Sequence, residues 1–176
     1  MNDLLKHEYP AYYQPYIQLV PKGDIETILQ NQVEETIGLL SNLTEDQMLF
    51  KYADDKWTIK ETIGHITDTE RIMSYRMLSI ARGETVALPG YDDRLYVING
   101  EFNRFNITDL LEHLQITRKA TIQFMKLLPK GAWERIGNAN GTDVSVQALA
   151  YIIAGHERHH RNLIRERYIL SSNFPK

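Results

Sequence analysis

The sequence of 176 residues contains no cysteine. Disulfide bonds, thiolate metal ligands and a cysteine nucleophile are therefore excluded, and any metal must be held by nitrogen and oxygen atoms. The chain also lacks the uninterrupted apolar run of about 18 residues that a membrane span needs. Its N-terminus carries acidic residues, prolines and tyrosines instead of the basic and apolar segments of a secretory signal. We therefore predict a cytoplasmic protein that does not enter a membrane.

The chain also has little excess charge, with a formal net charge of -3 at pH 7. This balance gives no reason to expect nucleic acid as a partner. Hydrophobic residues make up 43% of the chain and charged residues 24%, as in ordinary globular proteins. A chain of this length can bury one sizeable core, so we predict a single domain.

Four segments repeat apolar residues with the 3.6-residue period of an amphipathic helix. The first follows Asp24, the second Thr58, the third Asn106 or Thr108, and the fourth Ser145, and these residue types cap helix N-termini. No segment shows a convincing alternating strand pattern. The sequence therefore predicts an all-α protein, a four-helix bundle.

The predicted bundle covers residues 24–170. Residues 1–23 are rich in tyrosine, and we expect this N-terminal tail to pack on the bundle. Residues 171–176 form a short C-terminal tail.

The second and third predicted helices are joined by a connection of about twenty residues, 83–105. Connections of this length in compact domains are usually functional or disordered. This one contains apolar and aromatic side chains, so we expect it to pack across the bundle as a lid or pocket wall. Tyr91 and Asp92 are candidate pocket residues, although Asp92 could equally cap a turn.

A histidine-rich stretch lies near the C-terminus, GHERHHRN, and within it His156-Glu157-Arg158-His159-His160 has the H-E-x-x-H form of zinc proteases. His156 and His160 occupy the apolar stripe of the fourth helix, one turn apart. Two imidazoles in that relation can face one ion. Ordinary hydrogen bonds to carboxylates could equally satisfy buried histidines.

Two carboxylates near these histidines have candidate roles. Glu157, on the flank of the histidine stripe, could act as a general base or form a salt bridge with an arginine. Glu70 falls near the middle of the apolar stripe of the second helix. It is expected to pair with an arginine or to orient a histidine ligand.

A zinc protease is disfavoured, because its third ligand should follow the motif. Leu163 and Glu166 stand where the extended motif requires glycine and histidine. A third metal ligand must therefore come from upstream, where His7, His65 and His113 are available. His65 flanks the apolar stripe at the edge of the bundle, whereas His7 lies in an irregular tail and His113 fits a core or boundary position. Because imidazole must be neutral to bind metal, we expect affinity to fall below about pH 6.5.

Several stretches of the chain resemble the DinB/YfiT-like superfamily, bacterial metal-binding four-helix bundles. They are KWTIKETIGHITDTER (56–71), ARG (81–83), LPGYD (88–92) and ALAYIIAGH (148–156) followed by His160. The resemblance covers residues 24–168. It implies one divalent metal ion, often nickel or zinc, held by His65, His156 and His160.

The resemblance also implies candidate activities. Members of the superfamily include transferases that join a low-molecular-weight thiol, such as bacillithiol or mycothiol, to an electrophile. Others have been described as metal-dependent hydrolases. The chain is thus expected to act on a small-molecule substrate, with a thiol S-transferase as the leading hypothesis and a homodimer as the assembly that the family allows. The alternatives are a metal-dependent hydrolase and a non-catalytic metal-binding module of the stress response.

Overall fold

The computed structural model describes residues 8–176 of the chain. Its α-helices are α1 (Gln14–Ile17), α2 (Ile25–Leu40), α3 (Glu45–Met48), α4 (Ile59–Ala81), α5 (Asp93–Gly100), α6 (Ile107–Lys126) and α7 (Val146–Leu163). Two short strands, β1 (Ile136–Ala139) and β2 (Thr142–Ser145), precede α7, and a π-helix (Ile164–Ile169) follows it. Single 3-10 turns lie at Ala11–Tyr13, Phe102–Arg104 and Lys130–Ala132. Within residues 8–176, no helix combines the length and apolarity needed to cross a membrane.

Side-chain caps set the beginnings of three of the long helices. The Asp24 carboxylate accepts a hydrogen bond from the backbone N–H of Thr27 at the start of α2. Thr58 forms a complete capping box with Glu61 at the start of α4, and the Ser145 hydroxyl accepts from the first turn of α7. These bonds satisfy backbone donors that have no partner within a helix. The helix starts predicted at these three residues are confirmed.

The four long helices α2, α4, α6 and α7 form the predicted bundle. Helix α4 packs mainly against α6 and α7, and α2 packs mainly against the same two helices. The consecutive long helices α2 and α4 therefore lie diagonally opposite each other. Helix α1 packs on α7. This arrangement brings α4 and α7, which carry the candidate metal ligands, side by side.

A layer of buried polar side chains divides the core of the bundle. The apolar cluster on one side includes Leu29, Met73, Ile122 and Ile153, and the cluster on the other side includes Val33, Ile66, Leu114 and Ile164. Between the two clusters, Gln32, Glu70, Arg118 and Glu157 come from all four long helices, and each is at most 2% exposed. Polar groups buried this completely must form hydrogen bonds or ion pairs with one another.

The connection between α4 and α6 contains structure that the sequence did not predict. Helix α5 lies within it. The ring of Phe102 packs closely against α4 at Gly64, where an added Cβ atom would lie 2.3 Å from the ring. Val97 and Phe102 are buried. The connection therefore packs against α4 through its buried side chains.

The strands β1 and β2 form an antiparallel hairpin that is a second departure from the predicted all-helical pattern. Asn140 and Gly141 join them with φ of 56° and 76°. Asn-Gly is the residue pair that favours two-residue hairpin turns with positive φ. The hairpin is a small addition to an otherwise helical fold, and Leu88 pairs beside its first strand.

Candidate metal centre

Three histidine side chains meet between α4 and α7. The Nε2 atom of His156 lies 3.0 Å from Nε2 of His65 and 3.1 Å from Nε2 of His160. Imidazole nitrogens bound to one zinc ion at about 2.0–2.1 Å are about 2.8–3.4 Å apart, depending on the coordination number. The ligand atoms of all three histidines lie within 4.8 Å of one another. The two distances from Nε2 of His156 therefore fit a single divalent ion.

Helix geometry explains how two of these ligands come together. His156 and His160 are four residues apart on α7, so their side chains project from the same face. His65 reaches them from α4, the helix that packs beside α7. The Trp57 ring lies against His65, with 4.7 Å between the ring centroids. Of the three upstream candidates, the structure thus brings His65 to the pair.

The two other histidines among residues 8–176 do not join this cluster. His7 lies outside the described residues. His113 lies 2.7 Å from the guanidinium of Arg71, on the side of α4 that faces α6. His159 packs edge-on against the ring of Tyr16.

Burial sets the protonation of the clustered imidazoles. His65 and His156 are 5% and 8% exposed, and burial lowers the pKa of His65 from 6.5 to about 4. Burial, and then the neighbouring imidazoles, hold the pKa of His156 and His160 well below the usual value. Three neutral imidazoles with converging Nε2 atoms cannot all hydrogen-bond to one another, because lone pairs or N–H groups would oppose each other. A cation at their centre resolves this conflict.

The cluster opens into a cavity of about 360 Å³. Aromatic and polar side chains form most of its wall: Tyr12, Tyr13, Tyr16, Trp57, Thr69, Met73, Arg76, Tyr91, Asp93 and Asn140. The N-terminal segment supplies three of these tyrosines. It fits tightly on α7, since a Cβ at Gly155 would lie 2.1 Å from the carbonyl oxygen of Tyr16.

The candidate pocket residues of the connection divide into two roles. Tyr91 lines the cavity, and its hydroxyl lies 2.9 Å from the Thr69 hydroxyl. Asp92 does not line the cavity, because its carboxylate caps α5 by accepting from the backbone N–H groups of Arg94 and Leu95. The next residue, Asp93, lines the cavity instead. The observed contacts of Asp92 are thus those of a cap, the alternative role considered for it.

Glu157 lies in the buried polar layer and not in the cavity. Its carboxylate accepts hydrogen bonds from Thr36 at 2.6 Å, from Gln32, and from Arg118 at 2.7 Å. Burial alone would raise the pKa of Glu157, but the charge of Arg118 and the hydrogen bonds lower it overall. A fully engaged carboxylate of low pKa is a poor proton acceptor. The placement argues against the general-base role predicted for Glu157 and matches the alternative, a salt bridge with an arginine.

Glu70 shares the same arginine. The Arg118 guanidinium donates to both of its carboxylate oxygens, at 2.9 and 2.7 Å, and to the carbonyl of Leu29 at 2.9 Å. Arg118 thus connects α2, α4 and α7 from its position on α6. Glu70 pairs with an arginine, the first of its two predicted roles, and makes no hydrogen bond to the three histidines.

Sequence reasoning did not identify Tyr16 or Arg76 as residues of this cavity. Tyr16 packs edge-on against His156, with ring centroids 5.6 Å apart. Arg76 is 3% exposed and lies on the cavity wall three turns along α4 from His65. A signal was present for Arg76, because an arginine three residues after Met73 and one before Met77 interrupts the apolar stripe of α4.

The buried histidines predict how stability depends on pH without metal. Their pKa values are lower in the folded chain than in the unfolded chain, so unfolding takes up protons between about pH 6.5 and 4. Stability from this source is complete above pH 6.5 and is lost as the pH falls. His65 alone should contribute about 1.4 kcal/mol per pH unit in this range. Urea unfolding in the presence of a chelator at pH 6.5, 5.5 and 4.5 measures the slope.

The matched control for this pH dependence is His65→Gln, which cannot take up the proton. Its slope should be smaller by about 1.4 kcal/mol per pH unit than that of the unchanged chain. Equal slopes would contradict the assignment. The same burial revises the expectation for metal affinity, since protons should begin to compete at His65 near pH 5 and not near 6.5.

Residues 28–164 match the sequence model of the DinB superfamily. YfiT from Bacillus subtilis, described as a probable metal-dependent hydrolase with an unusual four-helix bundle topology, has a similar structure. The two share 16% sequence identity with a TM-score of 0.71, over 94% of this chain and 90% of YfiT.

A mycothiol-dependent maleylpyruvate isomerase has the same fold. It shares 12% identity and a TM-score of 0.67, over 90% of this chain and 66% of the isomerase. No curated protein sequence matches the chain. At these identities the two structures establish the fold, a DinB/YfiT-like helical bundle.

Proposed function

Because the chain belongs to the DinB superfamily, we propose that it is a metal-dependent enzyme that joins a low-molecular-weight thiol to an electrophilic small molecule. The observation that supports this proposal is a three-histidine cluster that opens into a cavity. Structural zinc sites are closed by four protein ligands, whereas catalytic sites keep a position open. Among residues 8–176, the cluster contains three ligands.

In this proposal His65, His156 and His160 hold one divalent ion, nickel or zinc, through their Nε2 atoms. The residues fit such an ion, because three neutral imidazoles offer three converging lone pairs. When bound, the ion supplies Lewis acidity that lowers the pKa of a thiol or water beside it. The aromatic side chains of the cavity wall then exclude water and hold the substrates against one another.

The polar groups of the cavity favour a thiol over water as the nucleophile. Metal-assisted hydrolysis usually needs a carboxylate or histidine that accepts a proton from the attacking water. Glu157, the predicted candidate, is bound to Arg118 in the core. Within the described residues, Asp93 is the carboxylate of the cavity wall, and it is exposed at the cavity mouth. A thiol needs less assistance, since its own pKa of about 8.5 lies far below that of water.

Metal-dependent hydrolysis is the second candidate function. It is supported by the structural similarity to YfiT, which is described as a probable metal-dependent hydrolase. In this case Asp93 would have to approach the ion to accept the proton. The two functions therefore differ in whether a thiol is consumed.

The proposed function can be tested with the zinc-loaded or nickel-loaded protein, a small thiol and a generic electrophile. Bacillithiol, mycothiol and cysteine are suitable thiols, and monochlorobimane is a suitable electrophile. We expect a thioether adduct of the thiol and the electrophile, detected by mass spectrometry, to accumulate faster than without protein. His156→Ala should reduce the rate to that of the uncatalysed reaction.

The control for this experiment is Asp92→Asn, which changes a carboxylate of the same connection that lies outside the cavity. It should retain the rate of the unchanged protein. Hydrolysed electrophile without adduct would favour the hydrolase instead. Absence of any turnover with bound metal would favour the non-catalytic module.

A further inference from the structure

The cavity beside the three histidines contains a buried positive charge. Arg76 lies on α4 and is 3% exposed, and its side chain forms part of the cavity wall. The wall around it includes Tyr13 and Tyr91, and the Arg76 guanidinium lies 5.9 Å from the centre of the Tyr91 ring. A guanidinium keeps its charge under all ordinary conditions. Arg76 therefore brings a permanent cation to the same cavity as the candidate ion.

The protein partners of Arg76 are neutral. The guanidinium donates to the carbonyl oxygen of Pro89 at 2.8 Å and makes a weak contact with the sulfur of Met73 at 3.6 Å. In residues 8–176 no carboxylate forms an ion pair with it. Arg118 differs from Arg76 in this respect, because it is also buried but forms ion pairs with two carboxylates. A buried charge without a counter-charge is costly, and a bound anion would offset that cost.

The charge balance of the cavity favours an anion. With a divalent ion bound, the wall would carry that ion and Arg76 against the single carboxylate of Asp93, which is exposed. The resulting field attracts negatively charged ligands. A guanidinium binds a carboxylate through two parallel N–H donors, and this arrangement also fixes its orientation. A phosphate group usually recruits several cations or a helix N-terminus, and Arg76 is alone in this wall.

We propose that Arg76 binds a carboxylate of the small-molecule substrate and so makes this cavity selective for carboxylic acids. The inference rests on the proposed function, in which one part of the substrate binds at the three histidines. It adds that a carboxylate elsewhere on the same substrate binds to Arg76. Arg76 is then a specificity-determining residue. A purely structural Arg76 would hold the connection at Pro89 and would not distinguish a carboxylate from an amide of the same size.

The test uses zinc-loaded, full-length protein and two thiols of matched shape, 3-mercaptopropionate and 3-mercaptopropanamide. The probe is the side-chain Nε–H signal of Arg76 in a nitrogen–proton NMR spectrum, assigned by its loss in Arg76→Lys. We expect the carboxylate to shift this signal and to bind about tenfold or more tightly than the amide. An unchanged signal, or equal shifts with both compounds, would overturn the proposal.

Two further arms separate this inference from the proposed function. Cobalt-loaded protein reports binding of the thiol sulfur to the metal through a near-ultraviolet absorption band, whatever happens at Arg76. Loss of this band with both thiols, together with a carboxylate-specific shift at Arg76, would leave the inference standing and contradict the thiol chemistry. Arg76→Gln should bring the affinity ratio of acid to amide close to one. The matched control Arg82→Gln, at the exposed end of the same helix, should leave the ratio unchanged.

Discussion

Replacing His156 with alanine should lower the affinity of the protein for Zn²⁺ on the order of 1,000-fold. His156 is the central histidine of the cluster, since its Nε2 atom is the one found 3.0 Å from Nε2 of His65 and 3.1 Å from Nε2 of His160. Loss of a residue that merely orients a ligand typically costs about 10–100-fold in affinity, and loss of a ligand should cost more. Competition titration with a chromophoric chelator at pH 7.5 measures the change.

His159→Ala is the matched control for this substitution. It removes an imidazole from the same helix, three residues further on, whose ring packs against Tyr16 instead of joining the cluster. Its Zn²⁺ affinity should stay within a few-fold of the unchanged protein. Equal losses of Zn²⁺ affinity in His156→Ala and His159→Ala would contradict the proposed site, because only His156 belongs to the three-histidine cluster.

Arg118→Met is the second substitution with a large expected effect, a loss of about 3–5 kcal/mol in the free energy of unfolding. Arg118 is completely buried and is the cation for the carboxylates of Glu70 and Glu157. Burial opposes its charge, yet the two carboxylates outweigh this effect and raise its pKa. Without Arg118, two carboxylates remain in the core with no cation of their own. Urea unfolding followed by circular dichroism measures the loss.

The comparison for this prediction is Arg104→Met, which removes an arginine from the exposed ion pair with Glu101. Exposed pairs contribute about 0–1 kcal/mol, because water and salt screen them. We therefore expect little change in this variant. A loss below about 1 kcal/mol in Arg118→Met as well would mean that the buried polar layer does not stabilise the bundle.

This polar layer gives the glutamate of H-E-x-x-H a structural explanation. Glu157 directly follows His156, and Glu70 lies five residues beyond His65, so each carboxylate is close in sequence to a proposed ligand. Both carboxylates bind Arg118, so the helices that carry the ligands are tied together next to the cluster. The motif therefore reproduces the sequence of a zinc protease while its glutamate serves the packing of the core.

The parts of the structure that depend on local chemistry could be predicted from the sequence. Caps at Asp24, Thr58 and Ser145 act within one turn, so their residue types identify the helix starts. The pairing of His156 and His160 follows from the helical repeat alone. The family resemblance indicated that His65 joins this pair. The apolar period alone placed His65 at the edge of its helix and could not show that it lies next to α7.

The parts that depend on tertiary packing could not be predicted. Helix α7 is buried around most of its circumference, since it contacts α1, α2 and α4. The flank that carries Glu157 therefore faces the core, and its partner Arg118 comes from a helix 39 residues upstream. The pattern of residues around a single helix does not show which residues of other helices will contact it. The roles of Tyr16 and Arg76 likewise depend on how the N-terminal segment and the connection close the cavity.

We expect one divalent ion to bind to the Nε2 atoms of His65, His156 and His160. X-ray absorption at the zinc edge of the zinc-loaded protein tests it most directly. We expect three imidazole nitrogens at about 2.0–2.1 Å from the zinc, with the remaining coordination completed by light atoms from solvent or substrate. A shell of oxygen atoms alone, or one with fewer than three imidazoles, would contradict it.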